Sequence, residues 1–205
     1  MYPGKGGISD HHGMNREFIS RLEMNPVIAT VKDDKGLDLC LTSDVEVVFL
    51  LYGDIVRIPE LVEKVKAHGK AAMVHLDLIA GLSAKDIAAD FIHCRTSADG
   101  IITTKANLVP HAKELGMATV LRYFLLDSMA MSNVERQKQL PYHMQPDVIE
   151  ILPGIVSSKV MKKVCSSSHV PVIAGGLIKD REDVMNALKS GCAAISSTSP
   201  DVWFL

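Results

Sequence analysis

Apolar residues in this chain fall into short continuous runs, each followed by a polar break and then a stretch of helical period. The runs lie at 26–31, 47–52, 71–77, 100–104, 118–126 and 148–152. Two more follow, one ending in Gly175-Gly176 and one ending in Ser197-Thr198-Ser199. Runs without polar alternation predict parallel strands covered on both faces. Between them, helical spacing predicts helices at 59–67, 84–94, 107–115, 127–140 and 157–166, with a last full helix between Asp180 and Gly191. Ser83 with Asp86, Asn107, Asp127 or Ser128, and Asp180 read as N-caps, and Gly69, Gly116 and Gly191 as stops. A short helix is expected at 37–42, a capping helix at 15–22, and a helical turn near Pro200.

Eight strand–helix units predict an α/β fold, a single compact (βα)8 TIM-type barrel with a short N-terminal capping segment. An open doubly wound sheet would carry a Gly-rich turn after its first strand. Lys32-Asp33-Asp34 stands there instead. Residues 1–13 are Gly-rich and aperiodic and read as a disordered leader or an expression remnant, leaving 14–205 as the barrel domain.

Composition narrows the class. A chain of 205 residues, 47% apolar and 22% charged, suits one globular domain. A net charge of −2 gives no global attraction to nucleic acid or membrane, though a local basic patch stays compatible with it. Cys40, Cys94, Cys165 and Cys192 form no Cys-x-x-Cys pair and read as reduced apolar fillers. The eight histidines show no ligand spacing, so neither a metal nor a cofactor is expected. No apolar run nears the ~18 residues that span a bilayer, and no signal peptide is evident, so a cytoplasmic location is expected.

The candidate chemistry lies at the strand ends, where barrels of this type bind ligands. Gly175 and Gly176 let a ligand approach the backbone closely, and Ser197 and Thr198 offer hydroxyls one strand later, before a helical turn. Together with Gly154 after the sixth strand they suit a phosphate. The plainer reading is a tight turn and a polar loop. Lys32 and Asp33 end the first strand, and Lys105 follows the fourth. His75 and Asp77, two apart in the third strand, should share one face. Arg122 and Glu150 interrupt neighbouring apolar strands and are expected to pair inside the barrel or to meet a ligand. An enzyme would use Asp77 or Glu150 as a base and Lys105 as a stabilising cation or imine-forming amine. A binding protein would use the same groups without chemistry, and spacing alone leaves both open.

Five segments carry a resemblance: Pro26-Val-Ile-Ala-Thr-Val-Lys-Asp, Val74-His-Leu-Asp-Leu-Ile-Ala-Gly-Leu-Ser, Ala98-Asp-Gly-Ile-Ile-Thr-Thr-Lys, Ile149-Glu-Ile-Leu-Pro-Gly and Ile173-Ala-Gly-Gly-Leu-Ile. In this order they resemble the glycerol-3-phosphate-responsive antiterminators of bacterial glycerol-uptake operons. The family pattern differs at Thr103, where a Ser is expected, and at Pro200, which removes one amide donor. The resemblance implies a regulator that binds glycerol 3-phosphate as effector and then the leader mRNA of a glycerol-metabolism operon, preventing early termination. The alternative is a metabolic enzyme (isomerase, aldolase or phosphodiesterase) acting on a small phosphate ester. No RNA-recognition motif is visible and aromatics are few, at 5%. The basic clusters are Lys64, Lys66 and Lys70; Arg136 and Lys138; Lys159, Lys162 and Lys163; and Arg57. A homodimer would join weak patches into one surface.

Overall fold

The computed structural model describes residues 11–205, and side chains from residue 16 onward. Residues 1–10 of the expected leader lie outside the described residues. The strands are β1 (Val27–Val31), β2 (Val47–Leu50), β3 (Ala71–His75), β4 (Gly100–Thr103), β5 (Ala118–Phe124), β6 (Val148–Leu152), β7 (Val172–Gly175) and β8 (Ala194–Ser197). All pair in parallel in sequence order, and β8 closes onto β1. The eight-unit reading of the apolar runs is therefore the observed barrel.

The helices are α1 (His11–Met24), α2 (Asp34–Cys40), α3 (Ile58–Ala67), α4 (Asp86–Arg95), α5 (Val109–Glu114), α6 (Ser128–Gln137), α7 (Ser158–Ser167), α8 (Arg181–Lys189) and α9 (Pro200–Trp203). Caps act where a short polar side chain meets an open amide. Asp127 accepts from the Ala130 N–H at 2.8 Å, and Asp180 from the Asp183 N–H at 3.0 Å. Two expected caps are not used. The Ser83 carbonyl accepts from the Lys85 amide in a tight turn, so α4 starts later, at Asp86, with no side-chain cap. Asn107 sits within a 3-10 turn (Ala106–Leu108), and α5 follows it with Pro110 in its first turn, where a missing N–H costs nothing. Cys94 is exposed, so it does not fill the core; all four cysteines are free thiols.

Strand alternation sorts side chains into two layers. Val31, Leu50, Val74, Ile101, Ile149, Ala174 and Ile195 pack outward against the helices. Ile28, Phe49, Met73, Ile102, Val120, Val148, Ile173 and Ala194 fill the barrel interior, and Phe18 and Leu22 of α1 plug its N-terminal end. Arg21 ties that helix to the Gly69 carbonyl and to Glu46, each at 2.9 Å. Among the described residues no helix is long and apolar enough to cross a membrane.

Gly100 and Gly69 separate two reasons for a glycine. Gly100 is the register partner of both Met73 and Ala118. A Cβ there would meet the Met73 Cε at 2.6 Å and the Ala118 backbone. Gly69 has φ +73° with open space around it. Gly100→Ala should therefore destabilise by about 3 kcal/mol through overpacking, and Gly69→Ala by about 1 kcal/mol through its left-handed backbone. Urea titration of both variants checks this, and equal losses would refute the packing account.

Candidate functional site

The next inward-facing layer, two residues beyond the apolar one, is mostly polar. Counting on from all eight interior residues gives Thr30, Leu51, His75, Thr104, Arg122, Glu150, Gly175 and Ser196, six of the eight polar. Glu150 is 0% exposed, and Arg122 is its register partner across β5 and β6. Arg122 Nε donates to Glu150 Oε2 at 2.7 Å, and Ser196 Oγ donates to Oε1 at 2.5 Å. That second bond crosses β7 above Gly175. A Cβ on Gly175 would stand 2.5 Å from Glu150 Oε1 and 2.6 Å from Ser196 Oγ. Gly175 is thus required by the carboxylate's reach.

Polar capacity is left over in this layer. Arg122 is 7% exposed, and its terminal guanidinium nitrogens make no hydrogen bond among the described residues. The Nδ1 of His75 and the Oγ1 of Thr30 are buried without a partner. Burial first, and then the Arg122 charge, push the His75 imidazole down from its ordinary 6.5 to about 4, against the opposing pull of Asp77. The imidazole is therefore neutral near pH 7.

Asp77 does not share a strand face with His75 as the spacing suggested. β3 ends at His75, and Asp77 lies in a 3-10 turn (Leu76–Leu78). The turn carries its carboxylate to the end of β4. There it accepts from the Thr103 hydroxyl at 2.8 Å and from the Thr104 amide and hydroxyl at 2.7 Å. Burial alone would raise the Asp77 carboxyl, but the Thr104 and Thr103 donors outweigh it and hold the group below the usual carboxylate value. Lys32 and Lys105 are exposed at the ends of β1 and β4. Asp33 caps α2, accepting from the Gly36 N–H at 2.7 Å.

The loops after β6, β7 and β8 are bonded to one another. The Gly154 N–H donates to the Gly175 carbonyl at 2.5 Å and to the Gly176 carbonyl at 3.0 Å, so that amide is occupied. A Cβ on Gly154 would meet Ile178 Cδ1 at 2.8 Å and the Gly175 N at 3.0 Å. The Ser197 hydroxyl donates to the Ile178 carbonyl at 2.6 Å and accepts from the Ser199 N–H at 3.0 Å, so it too is occupied. Trp203 Nε1 donates to the Ser197 carbonyl at 2.7 Å. Gly176 (φ +77°) and Leu177 (φ +64°) turn the chain over the mouth, and Thr198 is exposed beside them.

Arg122, Glu150, His75 and Gly175 thus belong to one layer, with Asp77 at its rim, while Lys32 and Asp33 stand outside it. Thr30, Thr104 and Ser196 were not singled out in the sequence. Strand period could have found Thr30 and Ser196, given one inward-facing residue on each strand to fix the phase. Among the described residues no group of three or more His, Cys, Asp or Glu is arranged to hold a metal ion.

Comparison with known proteins finds relatives over nearly the whole barrel. The family described as "Glycerol-3-phosphate responsive antiterminator" matches residues 27–203. The Escherichia coli (strain K12) protein YgcP is 41% identical over 184 residues, 90% of this chain and 94% of that protein. The crystal structure of the glycerol uptake operon antiterminator regulatory protein of Listeria monocytogenes is 33% identical, with TM-score 0.80, covering 87% of this chain and 95% of that one. A glycerol uptake operon antiterminator-related protein of Thermotoga maritima is 36% identical, with TM-score 0.73, covering 86% and 96%. This chain belongs to the glycerol-3-phosphate responsive antiterminator family.

Proposed function

We propose that this protein is a transcription antiterminator that binds glycerol 3-phosphate at the mouth of the barrel and, so loaded, binds the leader mRNA of a glycerol-metabolism operon. The observation that carries the effector site is the buried Arg122, with its terminal nitrogens uncommitted beside the unpartnered His75 Nδ1 and Thr30 Oγ1. A buried guanidinium with spare donors is a place for an anion or for ligand oxygens. In this reading the phosphate lies over Gly176 and Thr198. The Gly154 amide and the Ser197 hydroxyl, being occupied, hold the loops in shape instead of touching it. The glycerol hydroxyls turn inward toward His75, Arg122, Glu150 and Asp77, and Lys105 and Lys32 add positive charge at the rim.

The layer suits binding better than turnover. Both oxygens of Glu150 are engaged by Arg122 and Ser196, and both oxygens of Asp77 by Thr103 and Thr104. The remaining lone pairs can accept from ligand hydroxyls, but the Thr donors hold the Asp77 carboxyl below its ordinary value, which makes it a weak base for taking a substrate proton. We therefore read the layer as a sensor.

Glycerol 3-phosphate at ~100 Kd should stabilise the protein by about 2.7 kcal/mol, read as a rise in Tm, while glycerol alone should give no rise. Thr198→Glu places a carboxylate at an exposed position beside the proposed phosphate and should abolish the rise without loss of basal stability. A wild-type Tm unmoved by glycerol 3-phosphate would sink the effector assignment. Leader RNA binding should strengthen when the effector is added, and no binding in either state would sink the antitermination reading.

His75 supplies a pH signature. The unfolded imidazole takes its proton near 6.5 and the folded one near 4, so the unfolded state binds more protons between them. Stability is complete above the upper value and falls as pH drops through the window, by about 3 kcal/mol in all. His75→Gln should remove that loss. Urea midpoints measured across the window in both proteins check it, and parallel pH profiles would exclude His75 as the source.

A further inference from the structure

The fold sorts the cationic clusters of the sequence into spent and unspent ones. Lys64 bonds to Asp38, and Lys66 bonds to both oxygens of Asp99 at 2.7 and 2.8 Å. Lys70 is buried, with Nζ on the Ser43 and Val45 carbonyls. Arg57 forks onto Asp34 at 2.8 and 3.0 Å. Cations that already hold a carboxylate or a carbonyl offer little to a polyanion.

The other two clusters lie on adjacent helices. Lys163 of α7 bonds to Glu135 of α6 at 3.0 Å, joining the two faces. Arg136 on α6, Lys138 just beyond its end, and Lys159 and Lys162 on α7 are exposed and have no salt bridge among the described residues. Between Ser128 and Lys179 the acidic residues are Glu135, Asp147 and Glu150, and Asp147 and Glu150 are buried. Within that stretch Glu135 is the one carboxylate exposed enough to oppose the four cations, and the exposed Asp127 and Asp180 flank the stretch at the start of α6 and beyond the end of α7. A groove of about 440 Å³ runs between the helices, lined by Ser132, Glu135, Arg136, Lys138, Gln139 and Ser167.

Resting on the antitermination reading above, we propose that RNA docks across the outer face of α6 and α7, its phosphates on Arg136, Lys138, Lys159 and Lys162 and its sugar and base edges against the groove. A locally cationic face on a chain of net charge −2 is the complement of a polyanion. The face favours RNA over a lipid surface. The outward residues of α7 are Ser158, Lys159, Lys162, Lys163 and Ser166, without a large apolar side chain, and the exposed apolar residues of α6, Met129 with Leu126 before it, lie at its start, away from Arg136 and Lys138 at its end. Hydroxyls and amides in the groove match sugar and base edges.

The test uses the full chain with glycerol 3-phosphate present and a labelled transcript of a glycerol-operon leader from the same genome. Lys159→Glu with Lys162→Glu, and separately Arg136→Glu with Lys138→Glu, should each weaken binding about tenfold or more. Each pair should also reduce the slope of log Kobs against log salt by about 1.4. Lys64→Glu, at a spent lysine, should leave binding within about twofold. A retained effector-induced Tm rise in every variant shows that the fold and input site are intact. Should the wild type bind RNA and the paired variants bind it equally well, RNA docks elsewhere and this proposal falls alone. Wild-type protein that binds no RNA would remove the antitermination reading and this face with it. Variants that lose affinity for phosphatidylglycerol vesicles while keeping it for RNA would make the face a membrane surface and overturn the proposal.

Discussion

Everything at the mouth of this barrel depends on one buried carboxylate. Glu150 is 0% exposed inside a strand whose neighbours are apolar. An unpaired charge there would cost several kcal/mol. The structure meets that demand from three directions. The β5–β6 register sets Arg122 opposite it, β8 supplies the Ser196 hydroxyl, and β7 withdraws its side chain at Gly175 so that the hydroxyl can be reached. Change any of the three and the remaining groups are stranded. The ion pair is thus a constraint on composition before it is a source of stability, since a buried pair contributes little beyond its own desolvation cost.

The same constraint divides the interior. Below the carboxylate the barrel is sealed by Phe49, Met73 and Ile102 and by the α1 plug. Above it, donors remain that the protein does not consume. A ligand entering from the open end therefore meets Arg122, His75 and Thr30 and then an apolar floor. In the effector reading proposed above, a small ligand lies there with its charge toward the loops and its hydroxyls toward Arg122, His75 and Thr30.

The barrel was legible in the sequence because parallel strands covered on both faces leave an unmistakable apolar rhythm. The Arg122–Glu150 pair was legible for a related reason: two charges inside neighbouring apolar runs must find each other or a ligand. The rest depended on phase and on the course of the loops, which residue types do not encode. Thr30 and Ser196 look like ordinary strand residues until the inward-facing set is known. Asp77 continues an apolar run, yet the chain turns after His75 and delivers it to β4. Gly154 and Ser197 have the chemistry of phosphate ligands, but neighbouring carbonyls take their donors. Asn107 and Ser83 show the same limit for caps, because a cap depends on where the first open amide falls.

Connectivity gives the mouth a route to the outer surface. Arg122 and Glu150 sit on β5 and β6, whose chains continue directly into α6 and α7. The loop between β6 and α7 is held by the Gly154 amide on the Gly175 and Gly176 carbonyls, and the β7 loop in turn carries the Ser197 contact. The effector proposed above, held at Arg122 or over Gly176, would act on the segments that aim these two helices. An effector changes a distant equilibrium only by its differential affinity for two states. The polar layer supplies a source for that difference. On the reading proposed above, Arg122, His75 and Thr30 keep uncommitted donors and acceptors in one state, and the effector satisfies them in the other. On that same reading, the energy of completing those hydrogen bonds is what would bias the outer face.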